Sequence, residues 1–86
     1  MNKELQATIR RAKQVYKRDG YPQIVLEDND GTYSITRLYS DCWIFDTQKP
    51  IRIIDRNISF NKQVDIIGYL KKYNVKVVKQ YDGRSN

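Results

Sequence analysis

Apolar residues near the start of the chain are spaced for an amphipathic helix. They recur every three or four residues, which at about 100° per residue gathers them in a stripe about 60° wide. The stripe consists of Leu5, Ile9, Ala12 and Tyr16. Asn2 can cap the first turn, and Gly20 followed by Pro22 marks the end. We therefore predict a helix between Asn2 and Gly20 whose apolar stripe faces the core.

Two strand-like segments follow this helix and predict an antiparallel hairpin: the first contains the apolar run Ile24–Leu26, and the second alternates. Gln23–Asp28 and Thr32–Tyr39 are rich in β-branched and aromatic residues. The intervening Asn29-Asp30-Gly31 contains residues that tolerate positive φ, as a hairpin turn requires. A second, weaker strand pair is predicted at Cys42–Phe45 and Ile51–Asp55.

The remainder of the chain predicts a second helix and a final strand. We expect the helix to begin after Ser59 or Asn61, either of which can cap it, and to run to about Tyr73. Gly68 inside it suggests that a neighbouring element passes close by. Val75–Lys79 then forms a strand, which a right-handed crossover can place parallel to an earlier strand.

These elements predict the α+β class. The order is a helix, a three- to four-stranded mainly antiparallel sheet, a second helix and a C-terminal strand, with both helices on one face of the sheet. The 86 residues suffice for one domain, which we assign to residues 1–81, followed by a flexible polar tail at residues 82–86. The order of the first five elements resembles that of a double-stranded-RNA-binding domain. The lysine cluster of that family's second helix has no counterpart in Asn61–Asp65, so only the element order is shared.

Several kinds of chemistry lack the residues that they require. The chain has no histidine and a single cysteine, so zinc sites and histidine-based catalytic triads have no ligands or base. We interpret Cys42 as a core residue, because Trp43–Phe45 beside it are apolar. The four glycines are too far apart to form a phosphate-binding loop. We therefore expect no enzymatic activity, no catalytic residues, no metal site and no cofactor.

The acidic residues suggest two metal sites, and we favour neither. Glu27–Gly31 has the composition of a calcium loop, but Leu26 and Arg37 fall where ligands of that loop are needed. Aspartates at strand ends could gather a magnesium ion for phosphodiester chemistry, but no lysine or histidine accompanies them at a useful spacing. They are Asp41, Asp46 and Asp55. We interpret these residues as turn formers.

Charge is distributed unevenly along the chain. The net charge of +6 divides into +5 for residues 1–18, −5 for residues 19–46 and +6 for residues 47–86. Basic ends suit an anionic partner. The alternative is that the acidic middle packs against the first helix and neutralises it.

The cations of the first helix all fall opposite its apolar stripe, with almost no acid among them. Such a face can follow a phosphate backbone without reading its sequence. Tyr33, Arg37 and Tyr39 share one side of a predicted strand and could stack on unpaired bases, although the same pattern suits packing in a half-buried sheet. The predicted nucleic-acid-binding residues are Lys3, Arg10, Arg11, Lys13, Lys17, Arg18, Arg37, Tyr33 and Tyr39.

The function that these patterns favour is binding of DNA or RNA by a small, basic, non-enzymatic or regulatory protein through its first helix. The alternative is a protein of phage or mobile-element type that inhibits or assists a host or defence-system protein. The abundance of Lys, Ile, Asn and Tyr is typical of AT-rich genes and fits either hypothesis. We expect a cytoplasmic location without membrane association, because no apolar run or secretory signal is visible. An unpaired final strand would allow a homodimer.

Overall fold

The computed structural model describes residues 2–80, which form two helices and six strands. In chain order they are α1 (Lys3–Asp19), β1 (Gln23–Glu27), β2 (Tyr33–Arg37), β3 (Trp43–Phe45), β4 (Lys49–Asp55), β5 (Ile58–Phe60), α2 (Gln63–Lys72) and β6 (Lys76–Val78). The predicted α+β class is confirmed. The tail predicted at residues 82–86 lies outside the described residues.

Both predicted ends of α1 are confirmed. The Asn2 side chain accepts hydrogen bonds from the backbone N–H groups of Glu4, at 2.7 Å, and Leu5, at 3.4 Å. At the other end Gly20 adopts a left-handed φ of 80° and donates its N–H to the Tyr16 carbonyl at 2.7 Å. Local chemistry at each end therefore sets the length of α1.

The larger sheet has four antiparallel strands in the order β2-β1-β4-β5. The predicted hairpin forms its β1–β2 half, with Gly31 at a φ of 87° in the connection. The Asp30 carboxylate accepts from the Thr32 backbone N–H at 3.1 Å and from its hydroxyl at 2.6 Å. These bonds lower the pKa of Asp30 and stabilise the turn.

The second strand pair differs from the prediction. Ile51–Asp55 lies within β4, but its neighbours are β1 and β5 rather than Cys42–Phe45. Arg56 takes a left-handed φ of 60°, so Arg56 and Asn57 form a two-residue turn that pairs Asp55 with Ile58. The short strand β5 that results was not predicted.

The final strand pairs in parallel with an earlier strand, as predicted. β6 and β3 form a separate two-stranded sheet in which Ile44 lies opposite Val77. The Lys76 N–H donates to the Cys42 carbonyl at 2.9 Å, and the Asp46 N–H donates to the Val78 carbonyl at 2.8 Å. The chain between them, through β4, β5 and α2, forms the crossover.

Helix α2 begins later than predicted. Ser59 belongs to β5, and Asn61 precedes the actual N-cap, Lys62, whose side chain makes no capping hydrogen bond. The end is as predicted: Asn74 adopts a left-handed φ of 52°, and the Val75 N–H donates to the Leu70 carbonyl at 2.9 Å. Strand pairing by Ile58–Phe60 therefore excludes Ser59 as the cap, and the helix is capped one residue beyond the other predicted cap, Asn61.

The two helices pack on opposite faces of the four-stranded sheet rather than on one face. Neighbouring residues of a strand point to opposite faces, so Ile53 packs toward α2 and Ile54 toward α1. The α1 cluster contains Ile9, Ala12, Val25 and Ile54. The α2 cluster contains Ile24, Leu26, Leu38, Cys42, Ile44, Ile53 and Ile66. Because β1 is buried on both faces, a single covered face would have left half of its apolar residues in water.

Candidate nucleic-acid interface

One flank of α1 carries three cations at helical spacing. Arg10, Lys13 and Lys17 follow at intervals of three and four residues, so they lie along the same side of the helix, and all three are exposed. This flank adjoins β4, β5 and the turn between them. The side chains therefore line the gap between α1 and the β4–β5 hairpin.

Two adjoining clefts occupy this gap. The first, of about 370 Å³, is lined by Gln6, Ile9, Arg10, Lys13, Arg52 and Ser59. The second, of about 400 Å³, is lined by Lys13, Gln14, Tyr16, Lys17, Arg56 and Asn57. Lys13 lines both clefts. We call the two clefts together the basic groove.

Among residues 2–80, no acid compensates the charge of the basic groove. Its cations are Arg10, Lys13, Lys17, Arg52 and Arg56, and no carboxylate of this part of the chain lines either cleft. Asp55, next to Arg56 in the chain, accepts a hydrogen bond of 2.8 Å from the Tyr69 hydroxyl on the α2 side of the sheet. Burial, and then this bond, raise the pKa of Tyr69 to about 12. Asp55, the acid next to Arg56 in the chain, therefore forms its hydrogen bond on the α2 face of the sheet and not in the basic groove.

Arg52 differs from the other cations because it lies in the middle of a sheet strand. It is half-buried and stands opposite Val25 on the α1 side. Its Nη1 donates to the Ser59 hydroxyl at 3.3 Å, while its buried Nε has no hydrogen-bond acceptor in the described part of the chain. Arginine is rarely buried without an acidic partner, because desolvation of an unpaired charge is costly.

The remaining cations of α1 lie outside the basic groove. Arg11 and Arg18 are each one residue further on from a groove cation, which turns them about 100° round the helix. Arg18 forms an ion pair with Asp19 at 3.1 Å, and Asp19 also pairs with Arg37 at 3.0 Å. These bonds, first that from Arg18, lower the pKa of Asp19. Lys3 is exposed at the start of α1 and lines neither cleft.

The predicted aromatic stacking surface does not join the basic groove. Strand β2 lies at the opposite edge of the sheet from β5. Tyr33 is half-buried there beside Ile35, which packs in the α1 cluster, and the Arg37 guanidinium lies 4.9 Å from the centre of the Tyr21 ring. Tyr39 lies beyond the end of β2 and lines a different cleft together with Trp43. The structure therefore separates these three residues from the basic groove, although Arg37 shares the Asp19 carboxylate with Arg18 at the end of α1.

The acidic middle segment serves turns and connections more than the first helix. Asp28 accepts from the Gln48 amide at 3.2 Å, Asp41 from the Asn74 amide at 2.7 Å, and Asp46 from the Gln80 N–H at 3.3 Å. Among residues 2–80, the ion pair that reaches a cation of α1 is that of Asp19 with Arg18. The predicted neutralisation of the helix is therefore limited to its last turn.

Sequence reasoning missed two cations of the basic groove, Arg52 and Arg56. Arg52 stands between Ile51 and Ile53, and a single charge within an apolar strand is a signal that one face differs from the other. Arg56 precedes Asn57 between two apolar segments, which is the pattern of a two-residue hairpin turn. The signal at Arg52 lay within a strand that was predicted, whereas the signal at Arg56 also depended on recognising β5.

Cys42 and the acidic residues are the other candidates for chemistry within residues 2–80. Cys42 is buried and free, as its apolar neighbours predict. In this part of the chain no three His, Cys, Asp or Glu residues are grouped to hold a metal ion. Neither α1 nor α2 has the length and apolar composition needed to cross a bilayer. The basic groove is therefore the site that the geometry best supports.

No family model, curated protein or solved structure matches this chain.

Proposed function

We propose that the protein is a small, non-enzymatic nucleic-acid-binding protein that docks on phosphates through the basic groove. The supporting observation is that five cations, from α1 and from the β4–β5 hairpin, line adjoining clefts to which residues 2–80 contribute no carboxylate. Cations that neutralise phosphates release condensed counterions, and this release supplies most of the affinity of non-specific nucleic-acid binding. A groove of one sign of charge also concentrates the field toward an anion.

The length of the basic groove favours a polyanion over a single small anion. Arg10 and Lys17 are seven residues apart on α1, which corresponds to about 10.5 Å at the helical rise of 1.5 Å per residue. In B-DNA the rise along one strand is about 3.4 Å per nucleotide, so this distance spans about three nucleotides. The groove therefore matches a short stretch of sugar-phosphate backbone.

The test is binding to labelled duplex DNA, duplex RNA and single strands, measured by fluorescence anisotropy at several salt concentrations. The five groove cations can make at most five phosphate contacts, and at that limit the slope of log K against log salt on duplex DNA is about −4.5, since each contact contributes about −0.9. The triple variant Lys13→Gln, Lys17→Gln, Arg56→Gln lowers the limit to two contacts and about −1.8, so its slope should be less steep than that of the wild type. Absence of binding by the wild-type protein at low salt would contradict the proposal.

The control is a variant with the same net charge whose changes lie outside the basic groove. Lys71→Gln, Lys76→Gln and Lys79→Gln remove three exposed cations near the other end of the chain. We expect this variant to keep the wild-type slope. An equal loss of slope in both triple variants would show that net charge, rather than the groove, determines binding.

Arg56→Gly separates binding from folding. The left-handed φ of 60° at Arg56 is strained for a side chain but free of steric cost for glycine. The change should therefore leave stability unchanged or raise it, while it removes one groove cation. We expect weaker binding and a salt slope that is less steep by about 0.9, together with an equal or higher melting temperature.

A specific observation also supports the alternative of a protein partner. Val77 is 63% exposed on β6, and Trp43 is 51% exposed on the adjacent β3. The outer edge of β3 is occupied, since the Phe45 N–H donates to the Gln48 side chain at 2.9 Å and the Phe45 carbonyl accepts from the Gln48 N–H at 3.0 Å. The candidate edge of this two-stranded sheet is therefore that of β6. Exposed apolar side chains on a short edge strand are typical of strand addition by a partner. If a partner protein binds the wild-type protein and the triple groove variant but not Val77→Asp, this function is favoured.

A further inference from the structure

Arg52 has hydrogen-bonding capacity that the protein itself does not use. Within residues 2–80 its Nε is buried without an acceptor, and its Nη1 has one long contact of 3.3 Å with Ser59. The described residues also place no carboxylate in the cleft that contains it. Buried donors are nearly always satisfied in folded proteins, so an unsatisfied one beside an open cleft suggests a ligand that accepts hydrogen bonds.

The position of Arg52 is also more fixed than that of the other groove cations. It lies half-buried in β4, which pairs with β1 on one side and β5 on the other, and Ile9 of α1 lines the same cleft. Lys13 and Lys17 are exposed on the helix, and Arg56 is exposed on the turn. A side chain held by its surroundings loses less freedom on binding and so gives a more directional contact.

We infer that the cleft around Arg52 is a fixed phosphate site, which holds one phosphodiester group of the nucleic-acid backbone. This inference rests on the proposed function and names the anchoring group within it. The guanidinium fork offers donors to two oxygens of a phosphate, and Ser59 supplies a hydroxyl beside it. Arg10 and Lys13 line the same cleft and add two further positive charges. A phosphate, with several oxygens shared among these donors, fits that set better than a single carboxylate does.

The first test compares Arg52→Lys with Lys13→Gln in the salt series. Lysine keeps the charge but not the fork, so Arg52→Lys should weaken binding to duplex DNA about tenfold at every salt concentration with an unchanged slope. Lys13→Gln should instead make the slope less steep by about 0.9. Wild-type affinity in a folded Arg52→Lys protein would overturn the inference and leave the proposed function standing.

The second test needs no variant. Inorganic phosphate is titrated into the wild-type protein while the arginine Nε–H resonances are followed by NMR, with sodium chloride at matched ionic strength as the reference. The Arg52 resonance should shift and saturate, whereas that of Arg18, which is paired with Asp19, should not. An unchanged Arg52 resonance would overturn the inference even if Arg52→Lys failed to fold.

Acetate serves as the carboxylate probe in the same titration. If acetate shifts the Arg52 resonance at the same concentrations as phosphate, the site binds carboxylates as well as it binds phosphate, and the assignment to phosphate is overturned. If phosphate saturates the site but the wild-type protein binds no nucleic acid at low salt, the proposed function fails while the phosphate site remains.

Discussion

The two helices cover opposite faces of one sheet, and the residues on their outer surfaces differ. α1 is capped at both ends, and no acid from residues 2–80 lines the clefts beside Arg10, Lys13 and Lys17 on its outer flank. α2 has no side-chain cap and exposes apolar residues, with Val64 at 73% and Ile67 at 46%. The first helix therefore presents an electrostatic surface, while the second closes the larger core cluster and leaves apolar residues in solvent.

The same comparison shows that the number of cations does not locate a binding surface. α2 also ends in lysines, but the Lys72 ammonium lies 5.8 Å from the centre of the Tyr69 ring and 5.5 Å from that of Tyr73. Such contacts stabilise the ammonium group of Lys72, because the ring face is electron-rich. Lys72 therefore already has partners within the protein and does not require a phosphate. On the α1 side the groove cations face one another across a cleft. What surrounds each charge, rather than the charge itself, distinguishes the two helices.

The largest expected effect tests whether both faces are covered. Ile53→Ala and Ile54→Ala should each destabilise the protein by about 2–5 kcal/mol, because each removes a buried side chain from a different core cluster. Both residues are 0% exposed. Chemical denaturation monitored by circular dichroism measures the change. Ile58→Ala, at 49% exposure, is the control and should cost about 1 kcal/mol or less. If either Ile53→Ala or Ile54→Ala lowers the free energy of unfolding no more than Ile58→Ala does, only one face of the sheet is covered.

The next effect concerns the caps that distinguish the two helices. Asn2→Ala removes both capping hydrogen bonds of α1 and should cost about 1 kcal/mol. Lys62→Asp supplies a cap that α2 lacks, and should stabilise the protein by about 0.5–1 kcal/mol. Denaturant midpoints of the two variants measure both changes. Destabilisation by Lys62→Asp would show that the Lys62 side chain stabilises the protein in some way other than by capping α2.

A similar gain is expected at Gly68 in α2. The sequence suggests that a neighbouring element passes close to this glycine, but the structure places no atom within 4 Å of the position that a Cβ would occupy. Gly68→Ala should therefore stabilise the protein by about 1 kcal/mol, because alanine loses less backbone entropy in a helix. A higher melting temperature would confirm this outcome, and a lower one would reveal a contact that the open space does not suggest.

The smallest effect is a pH dependence at the α2 side. The pKa of Tyr69 is raised to about 12, above the usual value of 10.0. Between these values the unfolded chain loses the proton first, so the contribution of Tyr69 to stability is complete below pH 10 and is lost toward pH 12. Tyr69→Phe should lessen the fall in stability over this range, as measured by denaturation at each pH. Parallel curves for the two proteins would contradict the role of Tyr69.

Local signals in the sequence were sufficient for several parts of the fold. Asn2 and Gly20 set the ends of α1, and Asn29–Gly31 set the first hairpin, since each acts through hydrogen bonds or backbone angles of near neighbours. β5 was missed because Ile58–Phe60 has only three residues, and its partner β4 lies across a turn that requires an arginine at positive φ. Such a strand gains its stability from pairing rather than from its own composition.

The sequence by itself determined that α1 has an apolar stripe and a cationic outer surface, because both follow from residue spacing on a regular helix. Only the tertiary structure decided which of those cations share a site. Strand alternation sends Ile53 and Ile54 to opposite faces, and this puts α1 and α2 on either side of the sheet. The sheet order then brings Arg52 and Arg56 beside α1 and leaves Arg37 at the far edge. Contacts between residues distant in the chain depend on how whole elements pack, which the periodicity of one element does not specify.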